Sequence, residues 1–346
     1  MKKTFKTGLS IGLAVAAAVV AAAWTYIRYD ANTLRKVRAR GELLCGVNTG
    51  LPGFSSADAQ GNWSGFDVDF CRAVAAAIFN DPKKVKFVPL DASERFKELR
   101  DRKIDILSRN STWNLSRELG FGLHFAAVSY SDGQGFMVRR SKNAETALEL
   151  DGTKVCFQSG TTTQRNLADY FRTNNMKYQE VRFDKLDEVL KAYESGQCDV
   201  MTSDVSQLYA QRLRVSNPGE HVILPDVISK DPLAPVVRHK DDDWLLLVKW
   251  TFFAMLNAEE LGITSKNINE AMKSTKPDVM RFVGNEGTYG EDMRLTKDWA
   301  ARIIKHVGNY EEVFERNLGS ESPLGIPRGL NQLWNAGGIQ YAPPIL

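Results

Sequence analysis

Ile104-Asp105-Ile106-Leu107-Ser108-Arg109-Asn110-Ser111-Thr112-Trp113-Asn114-Leu115-Ser116-Arg117 begins apolar and turns polar after four residues. The apolar run reads as a short buried strand, and the polar segment leaves its C-terminal edge. In open α/β sheets that edge is where ligands bind. Toward the N-terminus, 43–47 reads as another buried strand ending in the loop Asn48-Thr49-Gly50-Leu51-Pro52-Gly53. A helix opens at Gly65-Phe66-Asp67-Val68-Asp69-Phe70, with apolar residues at 66, 70, 74, 77 and 78. Asp67 and Asp69 suit its positive N-terminal end. A strand at 85–90 and a helix at 93–100 complete an alternation that predicts a mainly parallel sheet.

Toward the C-terminus the pattern restarts at Thr153. A strand at 155–157 runs into Ser159-Gly160-Thr161-Thr162-Thr163 and a helix. A strand at 178–183, a helix at 185–195 closed by Gly196, and a strand at 200–201 follow, and Asp204 begins the next helix. Between the two blocks lies a first crossing at 130–138, and a second falls at 233–238. The expected division is therefore 33–134 with 238–346 as one lobe and 135–237 as the other. The apolar helix at 244–255 contains Lys249 and is too short to span a bilayer, so it is expected in a core. The tail at 330–344 has little regular pattern and is expected to wrap the first lobe.

The chain has 346 residues, 43% hydrophobic and 25% charged, which suits two globular domains. Lys2, Lys3 and Lys6 precede an uncharged Ala- and Val-rich run ending Ala21-Ala22-Ala23. Residues 1–23 read as a secretory signal peptide; an uncleaved membrane anchor is the alternative. No lipoprotein-like Cys follows, so release into a Gram-negative periplasm is expected. Removing the three lysines of the leader leaves 42 basic against 42 acidic residues, which argues against a nucleic-acid partner. Four cysteines allow three pairings. Cys45 and Cys71 fall in one expected lobe and Cys156 and Cys198 in the other, so those are the pairs expected; buried free thiols are the alternative.

Three constellations sit at strand ends. The first is Ser108 to Arg117, whose Arg109 and Arg117 offer forks that fit a carboxylate. The second is Ser159 to Thr163, where free N–H groups at a helix start favour an anion, unless Thr merely caps the helix. The third is Ser203-Asp204, a carboxylate for an ammonium group or simply another cap. Together they describe a receptor for a zwitterion. His124, His221, His239 and His306 all lie outside the three, and the chain has no H-E-x-x-H, G-x-S-x-G or G-x-x-x-x-G-K.

At these residues the chain resembles the amino-acid-binding proteins of ABC importers. The matching pieces are Gly65 to Asp69, Arg109 to Thr112 with Arg117, Ser159 to Thr162, and Cys198 to Asp204. Leu333-Trp334 through Pro344 and the four cysteines resemble the general L-amino-acid-binding subgroup. The resemblance implies a type II periplasmic binding protein fold, two α/β lobes joined by two hinge strands with the ligand cleft between them. It implies that Arg117, Thr112 and Thr162, with Arg109 beside them, hold an α-carboxylate, and that Asp204 and Asn110 face the α-ammonium. The ligand side chain would lie near Asn48, Leu51 and Ser93. Where relatives selective for basic or polar ligands place an Asp and an aromatic ring, this chain has Asn48 and Leu51, which implies broad specificity. The implied protein is a monomer that uses no cofactor or metal, binds free L-amino acids and hands them to permease subunits in the inner membrane. A dehydratase-like enzyme on the same fold, or an amino-acid-sensing receptor module, is the alternative.

Overall fold

The structure, a computed structural model, describes residues 32–346, so the leader read at 1–23 lies outside the described residues. The first lobe opens with α1 (Thr33–Arg40) and β1 (Leu43–Asn48). A small ribbon of β2 (Ser56–Ala57) and β3 (Trp63–Ser64) leads to α2 (Phe66–Phe79). Gly65 starts that helix with φ 131°, and a Cβ there would lie 2.1 Å from the Phe54 carbonyl oxygen, so only glycine fits the turn. β4 (Val85–Leu90), α3 (Arg95–Arg100), β5 (Ile106–Leu107), α4 (Leu115–Phe121) and β6 (Leu123–Phe125) follow. β1 pairs parallel with both β4 and β5.

The chain then crosses through β7 (Tyr130–Asp132) into β8 (Gln134–Arg139), β9 (Thr153–Gln158), α5 (Thr163–Thr173) and β10 (Tyr178–Phe183). α6 (Leu186–Glu194), β11 (Val200–Asp204), α7 (Val205–Arg212) and β12 (His221–Ile223) complete the second lobe. Its sheet runs β10-β9-β11-β8-β12, with β9 parallel to β10 and β11 and with β8 antiparallel to β11 and β12. The return passes through β13 (Asp231–Leu233), which pairs antiparallel with β7, and β14 (Val236–Arg238). β14 sits between β5 and β6 in the first sheet, whose order is β4-β1-β5-β14-β6. The return is therefore earlier than the 238 expected from sequence: residues 236 and 237 already pair with Leu107, Phe125 and His124. At the other boundary Gln134 already pairs with Asp204 in the second sheet. Pro232 and Pro235 cannot donate to a ladder, and the expected single crossing strand breaks between them.

The first lobe is completed by α8 (Asp242–Glu260), α9 (Ile268–Ala271), α10 (Pro277–Val283), α11 (Tyr289–Asp292), α12 (Trp299–Val307) and α13 (Tyr310–Asn317). α8 is longer at both ends than the apolar run that announced it. Asp241 caps it by accepting from the Trp244 N–H, and Trp244 donates its indole N–H to the Asp105 carbonyl. The core of this lobe packs Phe66, Phe70 and Val74 of α2 against Phe252, Ile304, Tyr310 and Phe314. A second core gathers Phe136, Val155, Phe157, Leu167 and Phe171. Each large side chain withdrawn from water contributes about 1.5–3 kcal/mol. Disulfides join Cys45 of β1 to Cys71 of α2 and Cys156 of β9 to Cys198, the pairing expected. Among the described residues no helix is long and apolar enough to cross a membrane.

Candidate functional site

Asp67, in the first turn of α2, organises the segment that leaves β5. Its carboxylate accepts from the Ser108 hydroxyl at 3.1 Å and from the Asn110 N–H at 2.9 Å. Burial pushes this carboxyl up to about 6, against the pull of those two bonds and of Arg109. Asn110 is held at φ 31°, a left-handed conformation that asparagine tolerates better than most residues. Its side chain accepts from Asn48 at 3.1 Å and donates to Gln207 of the second lobe at 3.3 Å. The lobes also approach where Gly160 follows β9: φ is 74°, and a Cβ there would come within 3.4 Å of the Ser93 backbone. The ends of β5 and β9 thus face each other across a closed seam.

Buried charge is concentrated along that seam. Arg117 is buried, donates from Nη1 to the Thr112 carbonyl at 2.8 Å, and lies over the Phe96 ring. Burial lowers its pKa, while Asp204 and Asp231 act to raise it. Asp204 occupies the N-cap position of α7, yet its side chain caps nothing and accepts no hydrogen bond among the described residues. Burial pushes its carboxyl far up, reinforced by Asp132 and Asp231 and opposed by Arg117 and Arg95. Asp132 is itself pushed up to about 6, chiefly by burial. Thr162 is likewise an N-cap by position only; its hydroxyl donates to Asp231 at 3.2 Å. Thr162 and Asp204 therefore do not cap their helices, whereas the Thr161 hydroxyl accepts from the Thr163 N–H at 3.3 Å, so a threonine of this segment does serve the helix start.

The other sequence-derived residues fall less uniformly. Thr112 is buried and bridges to Leu233 of β13. Arg109 is buried, donates from Nε to the Leu90 carbonyl at 2.8 Å, and has its pKa lowered to about 10 by burial. Asn48 is buried at the end of β1, whereas Ser93 is exposed at the rim. Leu51 is wholly buried in the core of its lobe.

Sequence reasoning missed Arg95. It is 2% exposed, gives one hydrogen bond from Nη1 to the Ala92 carbonyl, and leaves its buried Nε without a partner among the described residues. Its guanidinium lies 4.7 Å from the Phe96 ring centroid, beside Arg109, Arg117 and Asp204. Burial, then those two arginines, push its pKa well down. Arg95 thus adds a buried cation, two residues past Ser93, to the group formed by Arg109, Arg117 and Asp204. The sequence offers one partial hint: Arg95 shares the buried face of a short helix with Leu99, four residues on, but its charged neighbours are brought to it by folding.

Two α/β lobes on a two-strand hinge, meeting along a seam of buried unlike charge, define a type II binding protein that closes over a small solute. The chain belongs to the bacterial extracellular solute-binding proteins, family 3, which residues 43–270 match. It is 56% identical to the general L-amino acid-binding periplasmic protein AapJ of Rhizobium johnstonii, over 97% of each chain. It is 48% identical to the glutamate/glutamine/aspartate/asparagine-binding protein BztA of Rhodobacter capsulatus, over 100% of each. Among solved structures, a periplasmic binding protein from Brucella ovis with glutathione bound is 54% identical with a TM-score of 0.90, covering 91% of this chain and 99% of that one.

Proposed function

We propose that the protein captures free L-amino acids in the periplasm, acting as a monomer, and delivers them to the permease subunits of an ABC importer. The observation that carries this reading is the pair Arg117 and Asp204: opposite charges, both buried, on facing lobes, with Asp204 accepting no hydrogen bond among the described residues. A zwitterion supplies the carboxylate and the ammonium such a pair lacks. Arg117, Thr112 and Thr162 receive the carboxylate, Asp204 and Asn110 the ammonium, and Asn48, Ser93 and Arg95 face the side chain; Arg109 braces the site through β4. The names of the relatives support both a broad range and a preference for acidic and amide side chains, for which Arg95, whose buried Nε has no partner among the described residues, is suited. The adopted lobe division remains 33–134 with 238–346 and 135–237, adjusted by the few residues noted at each crossing. The cleft is assigned to capture alone, not to catalysis.

Thermal unfolding of residues 24–346 against each of the twenty L-amino acids and glutathione tests the reading. A ligand at 1,000 times its Kd adds about 4 kcal/mol, and a lobe-sized domain shifts by roughly 2–4 °C per kcal/mol. Stabilisation by many amino acids supports the general reading. Stabilisation by none overturns it, and stabilisation by glutathione alone would make a γ-glutamyl peptide the ligand.

A further inference from the structure

The family match ends at residue 270, but the chain continues to Leu346 and its tail returns to the hinge. Asn331 is buried and binds the middle of β7 twice. Its Oδ1 accepts from the Ser131 N–H at 2.7 Å, and its Nδ2 donates to the Ser131 carbonyl at 3.2 Å. Across the β7–β13 ribbon Ser131 faces Pro232, which has no N–H to give. The amide of Asn331 therefore stands on β7 where a further strand would stand. The opposite edge of the ribbon carries the binding segment: Trp113 N–H donates to the Pro232 carbonyl at 2.7 Å and Ala234 N–H to the Ser111 carbonyl at 3.1 Å. Thr112, between them, gives its carbonyl to Arg117.

Asn331 is itself held on the first lobe. Arg328 is buried and donates to both oxygens of Glu259, at 2.7 and 3.1 Å, and to the Asn331 carbonyl at 3.0 Å. Its guanidinium lies over Tyr310 and Phe314. Tyr310 in turn donates its hydroxyl to the Ser129 carbonyl, just before β7.

We infer that Asn331, fixed by the Arg328–Glu259 pair, is a positioning residue for capture: it clamps hinge strand β7 to the first lobe and favours the closed form. The inference rests on the capture reading above. Because the clamp touches the hinge and not the cleft, it biases the affinity of every ligand by the same factor.

The test compares wild-type residues 24–346 with Asn331→Ala and with the isosteric Asn331→Asp, which keeps only the acceptor for Ser131. Calorimetry with several amino acids is paired with small-angle X-ray scattering of the ligand-free proteins. The expected result for Asn331→Ala is a common loss of about tenfold for all ligands, with their ranking unchanged and a more extended ligand-free form. Asn331→Asp sets a carboxylate oxygen against the Ser131 carbonyl and should move both readouts the same way by at least as much, and whichever of the two variants folds decides the matter. Wild-type affinities in a folded variant, or losses that differ between ligands, overturn the clamp. If wild type binds no amino acid, the capture reading fails, and scattering alone judges the clamp: identical ligand-free curves overturn it.

Discussion

Asn110 of the first lobe donates its side-chain amide to Gln207 of the second across 3.3 Å, while Asp67 holds its backbone N–H. One residue is thus fixed to its own lobe and reaches the other. Gln207→Ala removes this bond and the one that Gln207 gives to Ser203. With net values near 1 kcal/mol for a bond of this kind, ligands should bind about fivefold more weakly. The melting temperature of the ligand-free protein should change less than that of the ligand-saturated one.

Arg117→Ala removes the guanidinium assigned to the carboxylate and leaves Asp204 facing fewer cations. Truncating one partner of a buried charge pair costs about 3–5 kcal/mol. Calorimetry should therefore show a loss of about a hundredfold or more for every amino acid. Near-normal binding would refute the carboxylate role.

Arg95→Met should separate side-chain reading from backbone reading. The substitution keeps apolar volume over Phe96 and removes a buried cation whose Nε has no partner among the described residues. Glutamate, aspartate, glutamine and asparagine should lose about tenfold or more, small neutral ligands little. An equal loss for alanine and glutamate would move Arg95 to the carboxylate end.

The pH dependence follows from Asp204. Burial and the neighbouring Asp132 and Asp231 push its carboxyl up, against the pull of Arg117 and Arg95. An arriving ammonium favours the ionised form, so binding expels protons. Affinity should therefore fall as pH drops from 7.5 toward 5, by up to about tenfold per pH unit for one linked proton. A flat profile over that range would show that Asp204 is already ionised before the ligand arrives.

The alternation of strands and helices made the class of fold and the strand-end position of the site legible, because both depend on local pattern. Asn110 and Asp204 were nominated because they sit at or just past the end of an apolar strand, and Thr112 and Arg117 because they lie on the polar segment that leaves β5. Arg95 could not, because its meaning comes from burial against Phe96 and from neighbours brought together by folding. Leu51 failed for the converse reason: a loop leucine looked available for a wall and is spent on the core. The helices between 268 and 317 and the Asn331 contact with Ser131 depend on docking between segments about 200 residues apart, which no local period records.

Each disulfide stays within one lobe, and the ribbon of β7 and β13 carries none. Oxidation can therefore harden each half of the molecule without welding the two together. A chain stapled in this way suits an oxidising compartment without losing its hinge, because among the described residues no disulfide joins the lobes, and apart from the hinge strands themselves they meet through contacts such as the Asn110–Gln207 bond, which thermal motion can break and remake.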